Sequence, residues 1–102
     1  SPVVIANGTV YIAGQVSKDT RLDAAGQTAS ILAQIDALLA DAGIDKTRLV
    51  QATIWLSDMR HAEAMNAVWD AWVAPGQSPA RACVGAALAS GYLVEIAATA
   101  VL

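Results

Sequence analysis

The chain has 102 residues, a formal net charge of −3 and a hydrophobic fraction of 56%, enough for one domain spanning 1–102 and too little for two. A pI near 4.7 with six dispersed basic residues gives a phosphate backbone no electrostatic reason to bind, so nucleic acid is not expected as a partner. The lone cysteine, Cys83, allows neither an internal disulfide nor a multi-cysteine metal site and fits a reducing compartment.

Taken in order, Val3 to Ala6 and Thr9 to Ala13 are β-branched runs around Asn7-Gly8, which predicts a hairpin closed by a type I′ turn. Residues 14–26 are polar and turn-rich, as expected of a loop. Over 24–42 the positions Thr28, Leu32, Ile35, Leu39 and Ala42 form one helical face, with Gly43 as the stop. Val50, Ala52, Ile54 and Leu56 then alternate with Gln51, Thr53 and Trp55, the period of a strand. Asp58 is placed to cap a second helix carrying Met65, Val68, Trp69 and Trp72, which ends before Pro75-Gly76. Two further strands, 80–87 and 92–102, are expected to form a hairpin about Ser90-Gly91.

The order is therefore ββαβαββ, an α+β domain with two helices on one face of a sheet. Because a sheet must bury its apolar face against something, the uncovered face, expected to carry Trp55, Cys83, Leu93 and Ala97, predicts cover by other subunits. Gln34, Asp36, Asp41 and Glu95 interrupt the apolar stretches, so no membrane span is expected. The first residues also lack the charged and apolar regions of a secretory signal, and a cytoplasmic location is the expectation.

Centring the last hairpin near Ala89 puts Arg81, Cys83 and Glu95 on one face. An arginine and a glutamate on an apolar face are costly to desolvate unless they pair or meet a ligand. Arginine's planar fork matches a carboxylate, so Arg81 is the candidate anchor for a small acid, and Glu95 the group to hold or activate a water. A plain interface salt bridge is the competing structural explanation. Cys83 has no histidine in register to activate its sulfur, so its backbone is of more interest than its thiol. His61 is expected to face solvent. Asn66 lies in an otherwise apolar helix and needs a partner if buried. Trp69 and Trp72 read as core or interface anchors, whereas the strand parity of Trp55 allows it to line a cleft.

The stretches Val10-Tyr11-Ile12-Ala13-Gly14-Gln15-Val16, Ala52-Thr53-Ile54-Trp55-Leu56-Ser57-Asp58-Met59, Met65-Asn66-Ala67-Val68-Trp69, Pro79-Ala80-Arg81-Ala82-Cys83-Val84 and Leu93-Val94-Glu95-Ile96 resemble, in order and spacing, the Rid family. These are the reactive intermediate deaminases, also called YjgF-like proteins or L-PSP endoribonucleases. The resemblance implies a chorismate-mutase-like fold, a homotrimer around a central barrel of sheets, and ligand clefts between subunits. It implies that Arg81 grips the substrate carboxylate, Glu95 positions the hydrolytic water, main-chain groups near Gly14 and Cys83 complete the site, and Asn66 supports the surrounding loops. The implied reaction hydrolyses enamine or imine acids such as 2-aminoacrylate to 2-keto acids and ammonium, with no metal or cofactor.

This sequence departs from the family pattern in three places. Gly85 stands where many members carry an acidic residue, the loop after Gln15 is compact, and this sequence begins at Ser1, just before the first strand, whereas longer members carry an aromatic that lines the cleft in an N-terminal segment. A non-catalytic binder or regulator for small carboxylates is the alternative reading. The ribonuclease of the family's older label is disfavoured by the acidic pI and the single histidine.

Overall fold

The computed structural model describes residues 1–102. Strands β1 (Val3–Ala6) and β2 (Thr9–Val16) form the expected hairpin. Asn7 (φ 50°) and Gly8 (φ 71°) both take the positive φ that a type I′ turn demands. β2 runs on to Val16, three residues into the stretch expected to be loop, because a bulge carries it past Gly14. Ile12 pairs with Ala98 and Gln15 with Ile96, so two residues of β2 oppose one of its partner.

Helix α1 (Ala24–Asp41) starts at Asp23, whose carboxylate accepts the Gly26 N–H, and it buries Gln27, Thr28, Ile31, Leu32, Ile35 and Leu39. A short 3₁₀ turn, Lys46–Arg48, leads into β3 (Leu49–Leu56). Asp58 caps as expected, but what it caps is a second 3₁₀ turn, Met59–His61, and the α-helix proper, α2, begins only at Ala62 and ends at Trp72. β4 (Ala80–Gly85) and β5 (Val94–Val101) are the last strands.

The sheet order is β1-β2-β5-β3-β4, which corrects the predicted hairpin of the last two strands. β3 lies between them. β4 runs parallel to β3, joined to it by the α2 crossover, with Arg81 beside Ala52, Cys83 beside Ile54 and Gly85 beside Leu56. β5 is instead antiparallel to both β3 and β2.

Both helices cover the same face. Beneath them the alternate residues of the central strands are buried: Val10 and Ile12 from β2, Ala52, Ile54 and Leu56 from β3, and Val94, Ile96, Ala98 and Ala100 from β5. Each large aliphatic side chain so enclosed contributes about 1.5–3 kcal/mol. The intervening residues lie on the other face, which no element of this chain covers. Tyr11, half exposed, Thr53, Trp55, Val84, Glu95, Ala97 and Thr99 occupy it. Trp55 and Ala97 are thus where the sequence put them, but Cys83 and Leu93 are not, since both pack against the helix-side core. No helix is long and apolar enough to cross a membrane.

Candidate functional site

Arg81 lies on β4, one of the two edge strands, and its register partner Ala52 belongs to the helix-covered face. Its side chain therefore runs toward α2. The guanidinium carbon stands 5.5 Å from the centre of the Trp69 ring, and Nη1 is 3.8 Å from the sulfur of Met65. Met65 is fully buried and Trp69 nearly so, so the arginine rests on a rigid apolar and aromatic bed. The chain's ion pairs are Arg21 with Asp19 and Arg60 with Asp58. No carboxylate of the chain answers Arg81.

Glu95 sits on the opposite face. Its neighbours across the ladder are Val16 on β2 and Trp55 on β3, and its side chain folds over Gly14. A Cβ added at Gly14 would collide with Oε2 of Glu95 and stand 3.0 Å from its Cδ. The bulge and the glycine thus share a purpose: the strand turns a bare backbone outward at the one place where the carboxylate lies. Like Arg81, Glu95 has no opposite charge from its own chain.

The structure therefore corrects the expectation that Arg81, Cys83 and Glu95 share a face. Parallel pairing with β3 gives Cys83 and Arg81 the parity of Ile54 and Ala52, whereas Glu95 has the parity of Trp55. One strand separates β4 from β5, and the register offsets Arg81 from Glu95 by three residues, so their backbones are about 10 Å apart across the sheet and about 10 Å along it. Within one chain the two groups do not meet. Gly14, Trp55 and Glu95 form one cluster on the open face, and Arg81 and Cys83 form another at the sheet edge on the helix side.

Asn66 lies on α2 next to Met65 and one turn before Trp69, and its buried Oδ1 has no hydrogen-bond partner. Trp72, on the far flank of the helix, donates from Nε1 to Asp36 of α1 and carries Lys46 over its ring at 5.1 Å. Asn66 is therefore on the flank turned away from α1, toward the β4 edge, and its carbonyl is an acceptor lacking a donor. His61, half-buried, closes the 3₁₀ turn that precedes α2.

Two supports escaped the sequence reading. Met65 and Trp69 brace Arg81, a contact hidden until β4 is known to lie against β3. Gln27, wholly buried, donates from Nε2 to the carbonyls of Leu22 and Gly91 and accepts the Leu93 N–H, fixing the start of β5 and hence the height of Glu95. A glutamine in the first turn of an apolar helix face was the available signal.

Chemically, a guanidinium held without a counterion binds a carboxylate through two parallel hydrogen bonds, and a carboxylate beside apolar neighbours and bare backbone can orient a water.

A family model described as Endoribonuclease L-PSP matches residues 1–102. A RutC family protein of Haemophilus ducreyi is 45% identical over 103 residues, covering 100% of this chain and 88% of the relative. The RutC family protein YoaB of Escherichia coli is 47% identical over 97 residues, covering 94% of this chain and 84% of YoaB. Among solved structures, a YjgF family member from Neisseria meningitidis superposes with a TM-score of 0.94 at 50% identity, over 98% of this chain and 84% of its own. The Rid family protein YyfA of Yersinia pestis superposes with a TM-score of 0.93 at 30% identity, over 100% and 86% respectively. With a full-length family match, near-half identity to RutC proteins and a shared fold, this chain belongs to the Rid family, whose members are also called YjgF-like, RutC-like or L-PSP endoribonuclease-like.

Proposed function

We propose that the chain is the subunit of a homotrimeric enzyme that hydrolyses enamine or imine acids, of which 2-aminoacrylate is the simplest, to 2-keto acids and ammonium. The observation that carries this reading is that Arg81 is braced by Trp69 and Met65 yet has no carboxylate partner in its own chain. Because Glu95 lies on the other face, the reading requires that the β4 edge of one copy meet the open sheet face of the next. The exposed apolar groups of that face, Tyr11 and Val84 among them, support such a contact.

In that cleft Arg81 holds the substrate carboxylate, an enamine having first gained a proton at its terminal carbon to become the iminium, and Glu95 takes a proton from water as the water oxygen bonds to the iminium carbon. The carbinolamine so formed loses its nitrogen as ammonia, the C–N bond breaks as the C=O forms, and the proton held by Glu95 leaves with ammonia as ammonium. An imine carbon is already electrophilic, so orientation supplies most of the acceleration. The backbones of Gly14 and Cys83 and the ring of Trp55 complete the cleft, Asn66 supports it, and no metal or cofactor takes part. The single free cysteine supports a cytoplasmic, reducing location.

The test is keto-acid formation from freshly generated 2-aminoacrylate. Arg81→Ala is expected to lower kcat/KM by roughly 10- to 100-fold, mainly through KM, as loss of a charged bidentate contact does. Glu95→Gln is expected to lower kcat by about 10²–10⁴-fold, the range of general acid–base catalysis. Undiminished turnover in Arg81→Ala would remove the anchor. Gly85, bare where the family pattern often has an acid, favours a second reading, a carboxylate-binding regulator, which calorimetric binding without turnover would select.

A further inference from the structure

Strand β1 ends the sheet on the side away from β4 and pairs only with β2, so the main-chain groups along its outer edge have no strand partner. Val3 and Ile5 lie opposite Ile12 and Val10, which gives them the helix-side parity. Yet α1 covers them only in part, and Ile5 is 50% exposed. Between α1 and β1 runs a groove made of three clefts of about 300, 290 and 230 Å³. They are continuous: the first and second share Lys18, Gln34 and Ala37, and the second and third share Pro2 and Leu38.

The groove carries opposite charges at its ends. Lys18 lines the two clefts at the Pro2 end, and Asp41 lines the cleft that reaches Ile5. Both side chains are exposed, and neither enters an ion pair, since those join Arg21 to Asp19 and Arg60 to Asp58. From Gln34 to Asp41 the helix rises about 10 Å, and from Pro2 to Ile5 the strand advances about the same distance. Helix and strand therefore run side by side in one direction, with the cation at the start of the strand and the carboxylate toward its end. The floor between them, Ala37 and Leu38, is apolar and low.

A free edge, half-covered aliphatic side chains and unpaired charges of opposite sign at opposite ends describe a surface complementary to itself. Antiparallel pairing of two β1 strands about a two-fold axis keeps their helix-side residues on one face and joins the two grooves. We propose that this groove is an isologous interface with a second copy of the chain, in which β1 pairs with β1, Val3 and Ile5 are covered across the axis, and Lys18 of one subunit faces the partner's Asp41. The main-chain ladder and the buried aliphatic surface supply the attraction, and the charges fix its direction, because a parallel pairing would set lysine against lysine. The contact uses neither β4 nor the open sheet face, so it is independent of the trimer proposed above and joins whole assemblies in pairs.

Sedimentation velocity of the full chain over a range of concentrations tests it. The expected result is a reversible, concentration-dependent step to twice the mass of the smaller assembly, weakened as salt screens the charge pairs. Lys18→Glu and Asp41→Lys each set like charges together at both ends, and each is expected to lower the association constant of that step by about tenfold or more, as like-charge juxtaposition does. The double variant K18E/D41K exchanges the charges and is expected to recover most of that loss. Ile5→Lys places a charge on the edge itself and is expected to abolish the step. Because all three positions are exposed, the melting temperature of each variant at low concentration is expected to stay close to that of the parent. A mass that does not change with concentration, or a double variant no stronger than either single one, would overturn the inference.

Discussion

The two faces of the sheet are written by the same strands and obey different rules. β5 alternates without exception, with Val94, Ile96, Ala98 and Ala100 buried and Glu95, Ala97, Thr99 and Val101 only partly so. The helix-side set meets large aliphatic partners from α1 and α2 and is complete within one chain. The open-side set mixes small, polar and aromatic groups and includes a carboxylate with no partner. A face that stabilises the subunit has to be self-sufficient, whereas a face that does chemistry has to leave something unpaired. The candidate site obeys this division, because its arginine leaves the covered side at the sheet edge and its glutamate stands on the open side.

The division is most easily broken at two adjacent residues. Ile12 is 3% exposed and Tyr11 50%, one on each face. Ile12→Ala is expected to cost about 2–4 kcal/mol of subunit stability by leaving a cavity. Tyr11→Ala is expected to cost the separated subunit about 1 kcal/mol or less. Denaturant titration under dissociating conditions measures both, and equal costs would mean that the faces do not differ.

Gly14 sharpens the comparison. Since an added Cβ there meets the Glu95 carboxylate, Gly14→Ala should spare stability to within about 1 kcal/mol. It should nevertheless lower kcat on 2-aminoacrylate by about tenfold or more, as displacement of a positioned group does. A loss of stability with intact kcat would make the glycine a folding requirement and not a feature of the site.

Asp45 belongs to neither face and should give the smallest effect. Hydrogen bonds from the Thr47 hydroxyl and then the Thr47 N–H hold its carboxyl below the usual value. The folded chain therefore favours the ionised form, and the stabilisation is present above the ordinary carboxylate pKa and lost as pH falls through the lowered native one. Asp45→Asn should melt slightly lower than the parent at pH 7, and the gap should shrink below about pH 4. A gap constant across that range would show that the carboxylate charge plays no part.

Much of this architecture is legible in the residues alone. Asn7-Gly8 specifies its turn, the 3.6-residue spacing from Thr28 to Leu39 specifies α1, and the alternation of 51–56 specifies β3, though not its start, where a register shift buries Leu49 and exposes Val50, which the alternation had placed with Ala52. The site residues were legible as types, an arginine and a glutamate in apolar strands. Their arrangement was not, because strand neighbours in sequence are usually neighbours in space, and that tendency fails here. A competing signal was present: a strand, a helix and a strand in succession, which favours a parallel pair joined by a crossover. Once 80–85 pairs with β3 in parallel, Arg81 must face α2, and the bed formed by Met65 and Trp69 follows. The bulge at Gly14 was hidden for a different reason. It depends on Ile96 and Ala98 lying alongside β2, more than eighty residues away in the chain.

The buried amide of Gln27, which ties Gly91 and Leu93 to the first turn of α1, sets which insertions the connection 86–93 can absorb. Extra residues near Ala87 only lengthen a surface excursion. One added after Leu93 would slide β5 by a single step against a fixed tether, and a one-step slide exchanges the faces: Glu95 would turn into the hydrocarbon interior and Val94 out of it. Length can therefore drift on one side of that tether and is locked on the other.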